Sequence, residues 1–422
     1  MTFNSMSNKN SLLNGFAIYI SSTLLNKSIP FLILPILTTY LNPEEFGILS
    51  IFQSLIIFAI PMMGMNMGTV INRNFFNHDK EYLGTLIFNL IIVLVSSSSF
   101  VLATIYLLKN INALNVLPIN WIYYLPIIAF FTMLYNFYSI ILRNQKKAIS
   151  YGLLEVGKTI LDISISLFLI IALGYSWEGR GYGILFSIIT FGIISIFRIK
   201  TNGYLQYSLN KTMINEILST SFPLIFHAIG ISIISIGDRL ILNHLTDPYT
   251  VGIYSFNYQF ALIINLIIMA FSKTWSPWLH EKLSEEFKSG IKTNIRDKII
   301  LISAGYILIS IISTIIAKII IPLIFDEKYN QGSEIIIWAS LGYAFNGIFT
   351  LLFPFSIHFK KTANLGVITG LSAFISIILN FLLIPKFGAL GSGIATFVSY
   401  FLMAIFIFIH TRKIYPGILT SK

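Results

Sequence analysis

Long apolar runs recur from one end of the chain to the other, and they restrict its fold more than any other feature. A helix needs about 20 apolar residues to cross a hydrocarbon layer about 30 Å thick. The segments 86–95 and 299–324 are apolar on all sides, whereas strands of a membrane barrel alternate over about 10 residues. Only 11% of the residues are charged, against about 25% in soluble domains. The sequence therefore predicts an all-α integral membrane protein.

Polar breaks between the apolar runs divide the chain into about twelve predicted transmembrane helices. They lie near residues 12–40, 46–72, 82–108, 118–142, 148–173, 181–199, 217–243, 249–272, 299–324, 333–357, 363–384 and 389–411.

Basic residues concentrate on one predicted side of the membrane. The inner loops and termini hold twenty of the 28 lysine and arginine residues, and the outer loops hold Lys109, Arg180, Lys328 and Lys386. This positive-inside bias predicts cytoplasmic N- and C-termini in a bacterial inner membrane. The net charge of +11 is then read as contact with anionic membrane lipids, and no nucleic-acid partner is expected.

The chain contains a weak internal repeat. Three pairs of segments match at offsets between 205 and 214: residues 43–50 with 248–255, 146–152 with 360–366, and 181–184 with 391–394. The near-constant offset predicts two six-helix halves, 1–205 and 206–422, in parallel orientation. A central cavity between the halves, opening to alternate sides, is the expected consequence and is typical of a transporter.

Three charged residues share one face of the segment 148–173. Glu155, Lys158 and Asp162 follow one another at helical spacing, which predicts that Glu155 pairs with Lys158 and that Asp162 has no local partner. A buried carboxylate without a partner can exchange a proton, so this face is interpreted as a coupling site for protons or Na⁺. The alternative is a structural ion-pair cluster that joins two helices.

Other charged residues inside predicted spans are candidates for contact with the substrate. Lys27 lies in a proline-containing segment and is interpreted as an anion-binding residue, with pairing to a carboxylate as the alternative. Arg239 and Lys318 either contact the substrate or extend to the membrane interface, and Arg73 either contacts the substrate or anchors the inner surface. Asp238, next to Arg239, is a further candidate for ion coupling.

The inner connection 275–298 carries apolar residues at every fourth position, with lysine and glutamate between them. It is either an amphipathic helix lying in the membrane interface or a helical extension that packs on its neighbours.

No catalytic, metal or cofactor motif is evident in the sequence. The Walker A pattern is absent, and the histidines lack metal-ligand spacing. The chain is therefore expected to be no enzyme, to bind no cofactor, and to draw energy from an ion or substrate gradient.

Four segments resemble one family. They are 41–47, 238–242, 251–255 and 388–396, with sequences LNPEEFG, DRLIL, VGIYS and GALGSGIAT. The chain resembles bacterial polysaccharide flippases of the O-antigen (Wzx) type, which share a superfamily with multidrug exporters and lipid II flippases.

The resemblance implies a cargo and partners. The expected substrate is an undecaprenyl-diphosphate-linked oligosaccharide moved to the periplasmic leaflet, and a polysaccharide polymerase and chain-length regulator are expected partners. A cationic lumen suits a diphosphate, and Lys27, Lys158 and Arg239 are the expected contacts. The alternatives are a cation-coupled drug exporter or, in another class, a polytopic polymerase or acyltransferase.

Overall fold

The computed structural model describes residues 28–29, 31–65, 67–109, 117–289, 295–359, 361 and 363–418. All regular elements in this part of the chain are helical, as the sequence predicts. We label them α1 (Leu34–Tyr40), α2 (Pro43–Gly64), α3 (Gly68–Asn74), α4 (Lys80–Lys109), α5 (Ile119–Asn144), α6 (Ala148–Leu167), α7 (Trp177–Thr201), α8 (Lys211–Leu245), α9 (Pro248–Ser289), α10 (Ile295–Ile324), α11 (Glu334–His358) and α12 (Ala363–Ile414). A π-helical turn, Phe168–Ala172, extends α6.

Nine helices of the described part are long and apolar enough to cross a membrane. Helix α6 is not among them, because Glu155, Lys158 and Asp162 raise its polarity. Helix α12 is interrupted at Gly388, where φ is +55°, in the turn that the sequence predicts between its last two spans. The first predicted segment lies largely outside the described residues, so the number of twelve spans stays a prediction. The chain is a multi-pass membrane protein.

The structure settles the helix boundaries of two predicted segments. The segment 46–72 is two helices, α2 and α3, because the backbone leaves the helical conformation at Met65, where φ is +44°. The inner connection after residue 275 continues α9 as far as Ser289. There Leu279 is fully buried, and Trp275 donates its indole N–H to the carbonyl oxygen of Leu351 at 2.9 Å. Between the two alternatives for this connection, the structure therefore favours the packed extension.

Contacts divide the chain into two compact units. The first contains Ile51–Ile229 with the described residues before Pro35, and the second contains Pro35–Ser50 and the chain from Gly230 onward. In the first unit, α7 packs against α5 and α6, and the ring centroids of Trp121 and Trp177 are 4.6 Å apart. The predicted halves, 1–205 and 206–422, stay a prediction.

Two segments of the internal repeat pack against each other within the second unit. Helices α2 and α9 each begin at a proline, which suits the first helical position because no amide hydrogen is needed there. A Cβ atom on Gly47 would overlap the carbonyl oxygen of Pro248, and one on Gly252 would overlap that of Pro43. The contact is reciprocal, and it explains why both matched segments place glycine four residues after proline.

Replacing either repeat glycine should destabilise the protein. Gly47→Ala places its methyl group against backbone, which cannot rotate away, so we expect a loss of about 1–3 kcal/mol. The measurement is the melting temperature of the detergent-purified chain, read from the fraction that stays monodisperse after heating. Gly305→Ala is the matched control, because nothing lies within 4 Å of its added methyl group. Equal melting temperatures for both variants would contradict the close approach.

Candidate functional site

A polar cavity of about 390 Å³ lies within the first unit, along one face of α6. Helical spacing places Glu155, Lys158 and Asp162 on this face, and all three line the cavity. Tyr135 of α5, Arg180 of α7, Gln53 of α2 and Thr159 of α6 are its other polar lining residues. The structure thus brings together the three charged residues that the sequence predicts on one face.

Asp162 is paired, contrary to the prediction from the sequence. Arg180 bonds both carboxylate oxygens of Asp162, one of them through Nη2 at 3.2 Å, and it donates through Nη1 to Ser166 Oγ at 2.9 Å. Asp162 and Arg180 are 6% and 7% exposed, so the guanidinium neutralises a carboxylate that is almost removed from solvent. The arrangement is a fork-shaped, charge-assisted pair that joins α6 to α7.

The position of Arg180 corrects the assignment of this residue to an outer loop. Helix α7 begins at Trp177, four residues before the predicted start, so Arg180 lies in its first turn and faces α6. Close packing of the two helices requires Gly183, because a Cβ atom there would overlap Ser166 Oγ. Asp162 could have suggested such a partner, since a buried carboxylate needs one, but sequence separation does not identify which arginine supplies it.

The predicted pair of Glu155 and Lys158 is also wrong. Glu155 lies beside Ser139 of α5, whose hydroxyl group is 3.5 Å from a carboxylate oxygen. Among the described residues, the half-buried Lys158 has no hydrogen-bond or ion-pair partner. Of the cations that the structure describes in this cavity, its ammonium group is therefore the one available to an anionic ligand.

A second charged cluster is buried in the second unit. Arg239 Nη1 lies 3.1 Å from Asp238 Oδ1, and Tyr254 donates its hydroxyl to the other carboxylate oxygen. The guanidinium carbon of Arg239 is 4.6 Å from the ring centroid of Tyr258 and 5.6 Å from that of Tyr254. The sequence left open whether Arg239 extends to the membrane interface. Arg239 is 7% exposed, so its side chain is buried in the protein instead. Tyrosine faces and a carboxylate replace the water around its charge.

Two further predicted residues, Arg73 and Lys318, lie outside both clusters. Arg73 is exposed in the last turn of α3, and Lys318 is exposed on α10. Lys27 lies outside the described residues. Roles in substrate contact or ion coupling stay predictions for all the residues proposed from the sequence. Within the described part of the chain, no group of three or more histidine, aspartate or glutamate residues is placed to hold a metal ion.

Solved transporter structures share this fold. The lipid II flippase MurJ, in an inward closed conformation, matches with a TM-score of 0.72 at 18% identity, over 95% of this chain and 90% of that one. An inward-facing multidrug resistance MATE family transporter of the MOP superfamily matches with a TM-score of 0.64 at 16% identity, over 94% and 96%. The chain thus has the fold of these membrane transporters.

Sequence relatives give the family. Residues 12–282 match the family described as polysaccharide biosynthesis protein, and the chain belongs to that family. The capsular polysaccharide biosynthesis protein CapF of Staphylococcus aureus is 25% identical over 96% of this chain and 100% of its own length. An uncharacterized membrane protein of Haemophilus influenzae is 28% identical over 65% of this chain and 67% of its own. The family resemblance in the sequence is thus confirmed, and a bacterial inner membrane fits these relatives.

Removing one member of the buried pair should destabilise the first unit. Asp162→Asn or Arg180→Leu leaves an uncompensated charge or an unpaired group, and we expect a loss of about 3–5 kcal/mol for each single variant. The double variant Asp162→Leu with Arg180→Leu should lose less than either, because no charge is left buried. Thermal unfolding of the purified chain measures this. Additive losses in the double variant would contradict a direct pair.

Proposed function

We propose that the protein is a flippase that moves undecaprenyl-diphosphate-linked oligosaccharides across the bacterial inner membrane by alternating access. Membership of the polysaccharide biosynthesis family and the lipid II flippase fold support a lipid-linked glycan as cargo. The observation that carries the proposal is the ammonium group of Lys158, which has no partner among the described residues and lies in a cavity between α2, α5, α6 and α7. A polysaccharide polymerase and a chain-length regulator are the proposed partners that receive the cargo.

The charges of the cavity explain why Lys158 is the proposed diphosphate contact. Asp162 already neutralises Arg180, so pairing with a ligand would cost Arg180 its bonds to the carboxylate. Pairing of Lys158 with a ligand breaks no ion pair among the described residues. An ammonium group in a partly desolvated cavity attracts an anion more strongly than it does in water, because the surrounding dielectric constant is lower. The diphosphate also supplies several acceptor oxygens for its three donor hydrogens.

We further propose that Glu155 couples transport to the proton gradient. It lies one helical turn from Lys158, close enough to compete with an anionic ligand for the ammonium group. With Glu155 protonated, the four charged groups that the structure describes in the cavity sum to one positive charge and favour the diphosphate. With Glu155 ionised, the sum is zero and the affinity for the diphosphate falls, so binding of the cargo is linked to protonation of Glu155.

Transport is tested with the full chain reconstituted in vesicles that contain a lipid-linked oligosaccharide on one face. We expect oligosaccharide to reach the opposite leaflet, where an added glycosidase removes it. Lys158→Gln should slow this at least about tenfold, because the neutral amide loses the charge-assisted contact with the diphosphate. Lys158→Arg should keep part of the rate.

Lys147→Gln is the matched control, because this exposed lysine precedes the same helix and lies outside the cavity. Wild-type rates in both glutamine variants would remove Lys158 from the site. Vesicles that export lipophilic cations but no lipid-linked oligosaccharide would refute the flippase proposal in favour of a drug exporter.

The coupling proposal predicts a distinct phenotype for Glu155→Gln. The amide keeps the cavity at one positive charge, so we expect binding of the cargo to persist while transport no longer responds to an imposed proton gradient. The measurement is the ratio of rates with and without a transmembrane pH difference. A ratio unchanged from that of the wild type would contradict a role for Glu155.

A further inference from the structure

The interruption between α2 and α3 lies in close packing with α5. A Cβ atom on Gly64 would overlap the side chain of Met133, and one on Gly68 would overlap Ile140. The backbone leaves the helical conformation at Met65, and within a membrane irregular backbone is found where it is buried in protein or lines a cavity. Glycine- and proline-interrupted spans are also where transporters bind their ligands.

Two cavities of opposite character flank this interruption. An apolar cavity of about 540 Å³ is bounded by Met62 and Met65, by α4 from Ile92 to Val101, and by α8 from Ile214 to Ile229. A smaller cavity of about 340 Å³ is lined by Pro61, Gly68, Asn136 and Arg143 among others. Pro61 and Met62 are consecutive, so the end of α2 borders both cavities.

The shape of the apolar cavity suits one extended hydrocarbon chain. Fifteen helical steps separate Ile214 from Ile229, which corresponds to a length of about 22 Å. Its wall is formed almost wholly by aliphatic side chains, methionine and phenylalanine, with Ser96 and Ser97 as the polar exceptions. Methionine side chains adapt to irregular ligands, as a branched isoprenoid chain requires.

The smaller cavity supplies the complementary charge. Arg143 is exposed, and its guanidinium carbon lies 6.0 Å from the ring centroid of Tyr151. Among the described residues, it has no carboxylate partner. A planar guanidinium group binds phosphate oxygens through two donors at once, and Asn136 adds an amide to the same cavity.

We propose that the two cavities form one amphiphile site, the α2–α3 crevice, which holds a polyprenyl phosphate or diphosphate. The isoprenoid chain lies in the apolar cavity beside Met62 and Met65, and the phosphate contacts Arg143. This rests on the proposed function for the identity of the carrier lipid, and it adds a site for the tail distinct from the Lys158 cavity.

The test is photolabelling of the full chain in phosphatidylcholine nanodiscs with a polyprenyl diphosphate that carries a diazirine on its tail. We expect adducts within 92–101 and 214–229. Ser96→Trp places an indole ring in the cavity and should lower labelling about fivefold. This is the loss of affinity expected when one or two methylene groups of the lipid tail are no longer buried. Thr104→Trp is the matched control, since both hydroxyl groups bond the carbonyl oxygen four residues earlier on α4 and Thr104 lies outside the cavity.

A second variant separates the headgroup from the tail. Arg143→Gln should abolish the preference for polyprenyl diphosphate over uncharged polyprenol as a competitor. Adducts elsewhere, or equal labelling of the Ser96→Trp and Thr104→Trp variants, would overturn the proposal. Equal competition by a two-chain phospholipid would also overturn it, in favour of an ordinary membrane lipid.

The outcomes for the crevice and for transport are distinguishable. Transport in vesicles with an unlabelled crevice overturns the crevice and leaves the flippase function standing. A labelled crevice without transport supports the polyprenyl site while refuting the flippase function.

Discussion

The cost of burying charge among membrane-spanning helices is the constraint on which the first unit depends. Helix α6 carries three charged residues, and a carboxylate that is removed from water must be paired or neutralised. Arg180 meets this requirement for Asp162, and it also ties α6 to α7. The same pair determines the chemistry of the cavity. Because Asp162 is satisfied by Arg180, Lys158 keeps a charge that no described residue neutralises.

The repeat-related helices of the two units satisfy their buried polar groups in different ways. At the offset of 214 found between matched segments, Ser166 corresponds to Asn380. Ser166 accepts a bond from a charged arginine, whereas Asn380 accepts one from the hydroxyl group of Ser392 at 2.9 Å. In the second unit, a neutral bond thus joins the two parts of α12 that lie before and after Gly388. Its own buried pair, Asp238 and Arg239, is covered by tyrosine rings. On the proposed function, cargo recognition and coupling therefore belong to the first unit.

The fold was largely predictable from the sequence because hydrophobic length and helical spacing are local properties. The face shared by Glu155, Lys158 and Asp162 and the repeat around Gly47 followed from spacing alone. The partner of Asp162 did not, because it is fixed by how α7 packs on α6, and a four-residue error in the start of α7 moved Arg180 into a loop. The sequence also predicted a single span over 46–72, because its few uncharged polar residues do not interrupt the hydropathy at Met65. A positive φ angle there reflects packing around Gly64 and Gly68, which hydropathy does not record.

An amphiphilic cargo needs two environments, and α5 borders both proposed sites. Tyr135 lines the Lys158 cavity, and the next residue, Asn136, lines the α2–α3 crevice. Arg143 follows Tyr135 by eight residues, a distance of about 12 Å along the helix. A phosphate moving from Arg143 to Lys158 would pass from an exposed cation to a half-buried one, while its tail stays in apolar surroundings. Placing the more solvated contact first lets the diphosphate shed its water in steps, which lowers the largest single desolvation cost along the path.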